Sequence, residues 1–164
     1  MTSAAVDGRY VAVIGGTEVS PTVTADAEAV GRLLAEAGVI VVTGGREGVA
    51  AAASRGAMEA GGLTVGILPG RSRDEANPWV QIAVPTGLGE MRNALVVMDA
   101  YAVIAFPGAY GTLTEIAFAL LANTKVVGLG TWALGEGVSI LSGQTPAEVV
   151  RLALDEQAAP TRTR

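Results

Sequence analysis

The segment FPGAYGTLTEIAFAL, Phe106 to Leu120, sets two glycines, two threonines and a single carboxylate, Glu115, where an apolar strand-like run gives way to a helix-like one. Backbone N–H groups freed at Gly108 and Gly111, the Thr112 hydroxyl and the positive end of a following helix would together attract an anion such as phosphate. A carboxylate one helical turn beyond that anion is placed to meet a ribose. The same residues carry a structural reading: with a helix opening at Thr112, the run Thr112-Leu113-Thr114-Glu115 is a capping box, in which threonine and glutamate satisfy each other's backbone donors.

Two further turns repeat the pattern after strand-like runs, at Gly15, Gly16 and Thr17, and at Gly44, Gly45 and Gly48. A tight strand-to-helix turn wants glycine for its own sake, but in a parallel sheet the carboxyl ends of all strands lie on one edge, so three such turns converge there. A fourth polar stretch, TGLGEMRN, offers Thr86, Gly87, Arg92 and Asn93. A cation in the first turn of a helix opposes the dipole, which for Arg92 favours an anionic or carboxylate partner over a plain surface role. Neither GxGxxG nor GxxxxGK[ST] occurs, so a dinucleotide-dependent enzyme or a phosphate-loop ATPase has no support.

The residue types that are missing narrow the chemistry further. With no cysteine and no histidine, thiolate nucleophiles, zinc-thiolate sites and the commonest general base are excluded, and neither a metal nor a cofactor is expected. Lys125 is the sole lysine and begins the apolar run KVVGLG, a poor setting for a Schiff-base amine. The net charge of -5 and the lack of a Lys/Arg run disfavour nucleic acid as a partner. No stretch reaches the ~20 apolar residues that span a bilayer, and the first ten residues lack a signal-peptide pattern. A cytoplasmic protein without membrane association is expected.

These residues need a scaffold, and the chain predicts one. Half of its 164 residues are apolar and few are aromatic, as for strands of Val, Ile and Ala buried on both faces. Strand-like runs at Tyr10 to Gly15, Val39 to Gly44, Leu63 to Leu68, Val80 to Val84, Tyr101 to Phe106 and Lys125 to Gly130 alternate with helical patterns. The expected architecture is a single Rossmann-like α/β domain over residues 1–164, three-layer α/β/α with a mainly parallel sheet. Its ends, 1–8 and 157–164, are expected to be flexible.

Helices are expected over about Thr24 to Ala37 and Val49 to Ala60, and over Pro146 to Glu156 with Thr145 as N-cap. GEMRNALVVMDA also reads as helical, with Met91, Ala94, Leu95 and Met98 at core spacing. PGRSRDEANPW, Pro69 to Trp79, reads as a mobile loop over the carboxyl edge, with Trp79 a candidate stacking wall. The high hydropathy is consistent with a buried face in a homodimer or higher homo-oligomer.

PGAYGTLTE resembles the PGGxGTxxE signature of the Lonely Guy-type phosphoribohydrolases, a group long misnamed lysine decarboxylases, and the resemblance runs over about Tyr10 to Leu154. In that group an arginine of an MxxRK segment and the glutamate ending the signature form the catalytic pair; here Arg92 stands 23 residues before Glu115, the separation the family shows. Ala109 replaces the second glycine, Asn93 stands where lysine is usual, and Met91 directly precedes Arg92. ANPW, PTGLGEMRN and TPAEVV are similar to an uncharacterised sister branch, itself similar to the molybdenum cofactor carrier protein.

The resemblance implies a nucleoside-monophosphate-like ligand, with Arg92 and Glu115 as the catalytic pair of an N-glycosidase releasing free base and ribose 5-phosphate. The phosphate would be held by Gly108, Gly111 and Thr112 with help from the other turns. The alternative it implies is a carrier or sensor that binds a phosphorylated ligand such as molybdenum cofactor without chemistry. Decarboxylation is rejected, because Lys125 is the only candidate pyridoxal anchor.

Overall fold

The computed structural model describes residues 8–158, so most of both expected flexible ends lies outside the described residues. Seven parallel strands form one sheet in the order β4-β3-β2-β1-β5-β6-β7. They are β1 (Tyr10–Ile14), β2 (Ile40–Thr43), β3 (Thr64–Leu68), β4 (Ile82–Pro85), β5 (Ala102–Ala105), β6 (Lys125–Gly128) and β7 (Leu141–Ser142). The chain steps outward from β1 to β4 and then returns to lay β5 against the other side of β1. Strand order therefore reverses between β1 and β5, the place where open α/β sheets bind ligands.

Five α-helices cover the sheet: α1 (Pro21–Glu36), α2 (Val49–Glu59), α3 (Asn93–Val97), α4 (Tyr110–Leu121) and α5 (Pro146–Leu154). Alternate residues of β1 enter different cores. Val11 and Val13 pack with Ala27, Val30 and Leu34 of α1, Ala53 of α2 and Val149 of α5. Ala12 and Ile14 pack with Val96 of α3 and Ile116 of α4. The three-layer arrangement thus follows from strands that are apolar on both faces, as expected for a covered parallel sheet.

Several boundaries differ from the sequence reading. Helix α1 begins at Pro21, because Ser20 caps it: its Oγ accepts from Val23 N–H at 3.3 Å, and proline suits the first helical position. Strand β7 was not anticipated; two residues pairing with Val127 and Gly128 leave no periodic signal. Met91, Leu95 and Met98 face outward, exposed by 72, 41 and 49 %, whereas Asn93, Val96 and Val97 are buried. The three keep the expected helical spacing but form the outward face, because the side of α3 turned to the sheet is the one that carries Asn93, Val96 and Val97.

The capping of α5 matches the expectation. Thr145 Oγ1 accepts from Glu148 N–H at 3.2 Å, while the Glu148 carboxylate accepts from Gln144 N–H at 2.8 Å.

Helices α1 and α2 touch backbone to backbone. A Cβ on Gly31 would stand 2.0 Å from the Ala53 carbonyl oxygen, and one on Gly56 would stand 1.9 Å from that of Glu28. Overpacking of this kind costs about 1–3 kcal/mol. Gly31→Ala and Gly56→Ala should each lower stability by about that amount, read as a reduced urea midpoint at unchanged slope. Unchanged midpoints would show that the two helices separate without cost.

Candidate functional site

Gly16 joins the three glycine turns into one unit. Its N–H donates to Pro107 O at 2.9 Å, and its carbonyl accepts from Val49 N–H, the first residue of α2, at 3.1 Å. Gly48 precedes α2 with φ +64°, and a Cβ there would lie 2.2 Å from Gly16 O. No other residue type fits both the backbone conformation and the contact.

Helix α4 opens at Tyr110 with Ala109 as cap and no side-chain cap bond. The capping box expected at Thr112 is therefore absent. Alanine has no acceptor to offer, so the first-turn N–H groups at Gly111 and Thr112 stay available to an anion. Glu115 lies in the second turn, 6 % exposed, and its partner is Arg92.

Arg92 ends the 3-10 turn and lays its guanidinium on Gly44, where a Cβ would stand 3.0 Å from Nη2. Its Nη1 donates to Asn93 Oδ1 at 2.6 Å and sits 3.5 Å from Glu115 Oε1. Its Nε is buried and has no hydrogen-bond partner. Asn93 is 3 % exposed and fully committed. Its amide donates to Thr114 Oγ1 at 3.0 Å and to Glu90 Oε2 at 3.3 Å, and Thr114 Oγ1 in turn donates to Gly111 O at 2.7 Å. Asn93 is thus the brace that fixes Arg92 to the α4 turn.

Burial pushes the Glu115 carboxyl up to about 8 from its ordinary 4.5. The Arg92 guanidinium pulls it down and Glu90 pushes it further up, but loss of hydration outweighs both. At neutral pH the 3.5 Å contact is therefore chiefly one between a guanidinium and a neutral carboxyl, which can donate a proton as well as accept a hydrogen bond.

A cavity of about 250 Å³ opens at this edge. Of the residues singled out from the sequence, it is lined by Gly15, Gly16 and Thr17 from the first turn, Gly44 from the second, Gly111 and Thr112 from the third, and Arg92, Asn93 and Glu115. Gly108 lies beneath, its Cα against the Thr112 side chain, and Gly45 backs the second turn against Leu68. Thr86 and Gly87 are elsewhere: the Thr86 hydroxyl and N–H both donate to Leu68 O, and Gly87 N–H donates to Gly70 O.

Arg46, Glu47, Glu90 and Ala109 also line the cavity and were not anticipated. The first two sit inside the GGREG turn itself and Glu90 stands two residues before Arg92, so the motifs that flagged their neighbours could have found them.

Segment 69–79 is tied down more firmly than a mobile loop. Asn77 N–H donates to Gly45 O at 2.9 Å, its side-chain amide donates to Arg46 O at 2.7 Å, and Ser72 with Glu75 forms a capping box. Trp79 does not wall this cavity. It faces Arg55 of α2 and borders a separate cleft between α1 and α2. Lys125 is a structural residue: its ammonium donates to the carbonyls of Leu152, Ala153 and Asp155, closing the end of α5. Among the described residues there is no cluster of three or more His, Cys, Asp or Glu placed to hold a metal, and no helix long and apolar enough to cross a membrane.

Similar solved structures include proteins named for binding or carrying molybdenum cofactor. The molybdenum cofactor binding protein of Rippkaea orientalis is 34 % identical, with a TM-score of 0.81 over 88 % of this chain and 94 % of that one. The molybdenum cofactor carrier protein of Chlamydomonas reinhardtii is 31 % identical, with a TM-score of 0.78 over 89 % of this chain and 97 % of that one. DNA processing protein A of Helicobacter pylori, which binds single-stranded DNA, shares only the fold, at 18 % identity and a TM-score of 0.67, covering 89 % of this chain and 80 % of that one. An uncharacterised protein of Archaeoglobus fulgidus is 38 % identical over 140 residues, 85 % of this chain and 91 % of its own. A family model matches residues 8–159, nearly the whole chain, and by that match the protein belongs to the SLOG cluster4 family.

Proposed function

We propose that this protein binds a phosphorylated small molecule, a phosphorylated pterin of the molybdenum cofactor type being the best supported, and carries it without turning it over. The observation that carries the reading is Arg92. Its guanidinium lines the cavity and its one carboxylate contact, to Glu115, is 3.5 Å long, so a mostly buried cation keeps donor capacity for an anion there, and such groups are costly unless something satisfies them. The phosphate would accept from the backbone of Thr17, and of Gly111 and Thr112 at the start of α4, with Arg92 as its counter-charge, while Gly16, its N–H committed to Pro107 O, holds the turn in place. Gly15, Gly44, Gly45, Gly48 and Gly108 shape that cradle and Asn93 braces it; Thr86 and Gly87 take no part. The relatives at 31 and 34 % identity, named for binding or carrying molybdenum cofactor, support the same assignment.

The reading extends to a single-domain cytoplasmic protein that does not engage nucleic acid and that pairs as a homodimer. The apolar side chains exposed at Leu88, Met91, Leu95 and Met98 would supply the buried face.

The Arg92–Glu115 pair favours a second reading, a Lonely Guy-type N-glycosidase acting on a nucleoside 5′-monophosphate. Water would add to the anomeric carbon as the C–N bond breaks, with the neutral Glu115 carboxyl giving its proton to the departing base and recovering one from the water. Incubation with AMP and GMP and an assay for ribose 5-phosphate separates the readings. The carrier reading expects a ligand-dependent rise in melting temperature and no release. Release that vanishes in Glu115→Gln would install the hydrolase instead. In either case Arg92→Ala should weaken phosphate-ligand binding by about tenfold or more, since a hydrogen-bonded charge contact contributes about 1.5–3 kcal/mol.

Glu115 also sets a pH dependence. Between its ordinary 4.5 and its raised value of about 8, the folded chain holds a proton that the unfolded chain releases. This contribution to stability therefore declines as pH rises through that window and is lost above it. Wild type should melt lower at about pH 9 than at about pH 6, and Glu115→Gln should flatten the difference. A phosphate ligand gains its second charge near pH ~6, and ionised Glu115 repels it, so affinity should peak between about 6 and 8. Isothermal titration across pH checks this, and an alkaline limb unchanged in Glu115→Gln would overturn it.

A further inference from the structure

A second cavity, of about 490 Å³, adjoins the first. Thr17 lines both, so the two lie on either side of one residue. Apart from Gly48, the phosphate cradle explains none of its other walls. Its floor is Ala51 and Ala52 of α2, its side is the Trp79 indole, and Glu18 and Glu28 stand on the α1 side. A cleft with an alanine floor, an aromatic wall and carboxylates on the facing side suits a planar ring with N–H donors on its edge.

The chain already sets a planar nitrogen group against these walls. The Arg55 guanidinium lies 5.8 Å from the centre of the Trp79 ring and reaches Glu28 with Nη1 at 3.8 Å. A guanidinium is a planar N–C–N array with a third nitrogen, and the same array forms the edge of a 2-aminopyrimidin-4-one ring, as in guanine and pterins. Arg55 can yield its place. Its closer partner is Glu59 at 3.0 Å, one turn along α2, while the Glu28 contact is long and the arginine is half exposed. Contacts of that kind hold weakly.

We propose that this cleft seats the 2-aminopyrimidin-4-one end of the ligand, stacked beside Trp79 with its amino edge on Glu28, while the phosphate occupies the glycine cradle across Thr17. The assignment rests on the phosphate reading above and gives it a base specificity. The stacking residue is Trp79 after all, but in the neighbouring cleft. Glu28, hydrogen-bonding the ring as a carboxylate, discriminates rings that carry the exocyclic amine from those that lack it.

The test uses the full chain and four probes: ribose 5-phosphate, GMP, IMP and AMP, titrated by calorimetry at neutral pH. IMP differs from GMP only by the missing 2-amino group. GMP should bind about tenfold or more tighter than IMP and AMP, the scale of one hydrogen bond to a charged acceptor. Glu28→Gln should bring GMP and IMP to within about threefold while ribose 5-phosphate binds as in wild type. Glu28 is partly exposed on α1, so this variant should fold, and its melting temperature verifies that. Trp79→Leu should weaken all three nucleotides and spare ribose 5-phosphate. Equal affinity for GMP and IMP, with ribose 5-phosphate bound, would overturn the cleft assignment and leave the phosphate reading standing. Failure of ribose 5-phosphate and every nucleotide to bind would instead overturn the phosphate reading on which it rests.

Discussion

The two hydrogen bonds of Gly16 govern the rest of the site. Through its N–H it holds the turn after β5, and through its carbonyl it holds the start of α2. These bonds lie where strand order reverses, so the crevice any doubly wound sheet leaves at that point is narrowed to a defined cradle. Glycine is needed at Gly48, beside the second bond, because a Cβ there would lie 2.2 Å from Gly16 O. The fold supplies the edge, and this pair of bonds sets its width.

Electrostatics then follow from depth. Glu115 is carried into the cradle by the second turn of a helix whose buried side also holds Thr112, Ile116 and Ala119. Its carboxyl loses hydration, and a single guanidinium, itself shared with Asn93, does not restore it. A closer, bidentate pair would ionise the glutamate and fill the guanidinium's valence. The 3.5 Å spacing does neither, and it leaves Arg92 with capacity for another acceptor. The Asn93 brace holds that spacing in place.

The sheet was legible in the sequence because β-branched runs ending in glycine leave little choice of architecture, and six of its seven strands were placed within a residue or two. The convergence of the turns was legible for the same reason. What escaped depended on phase and on distance. Helix α3 has two apolar faces, and the one with Val96 and Val97 meets the sheet while Met91, Leu95 and Met98 face outward. Opening α4 at Tyr110 instead of Thr112 removed a capping box that the letters spell out. The commitment of Asn93 to Arg92 and Thr114 joins positions 21 residues apart, and no periodicity encodes such a contact. Trp79 was set beside the first cavity but lines the neighbouring cleft, since the path of segment 69–79 depends on bonds from Asn77 to the β2 turn.

Lys125 spends its ammonium on the last carbonyls of α5, and no other lysine exists. All remaining side-chain cations are arginines, so the outer surface presents guanidinium groups and no side-chain amine. Reagents that acylate or cross-link amines would find no lysine target on the native surface. Covalent labelling at Lys125 would register only when α5 lets go of β6, which makes this residue a built-in reporter of local opening at the edge of the sheet.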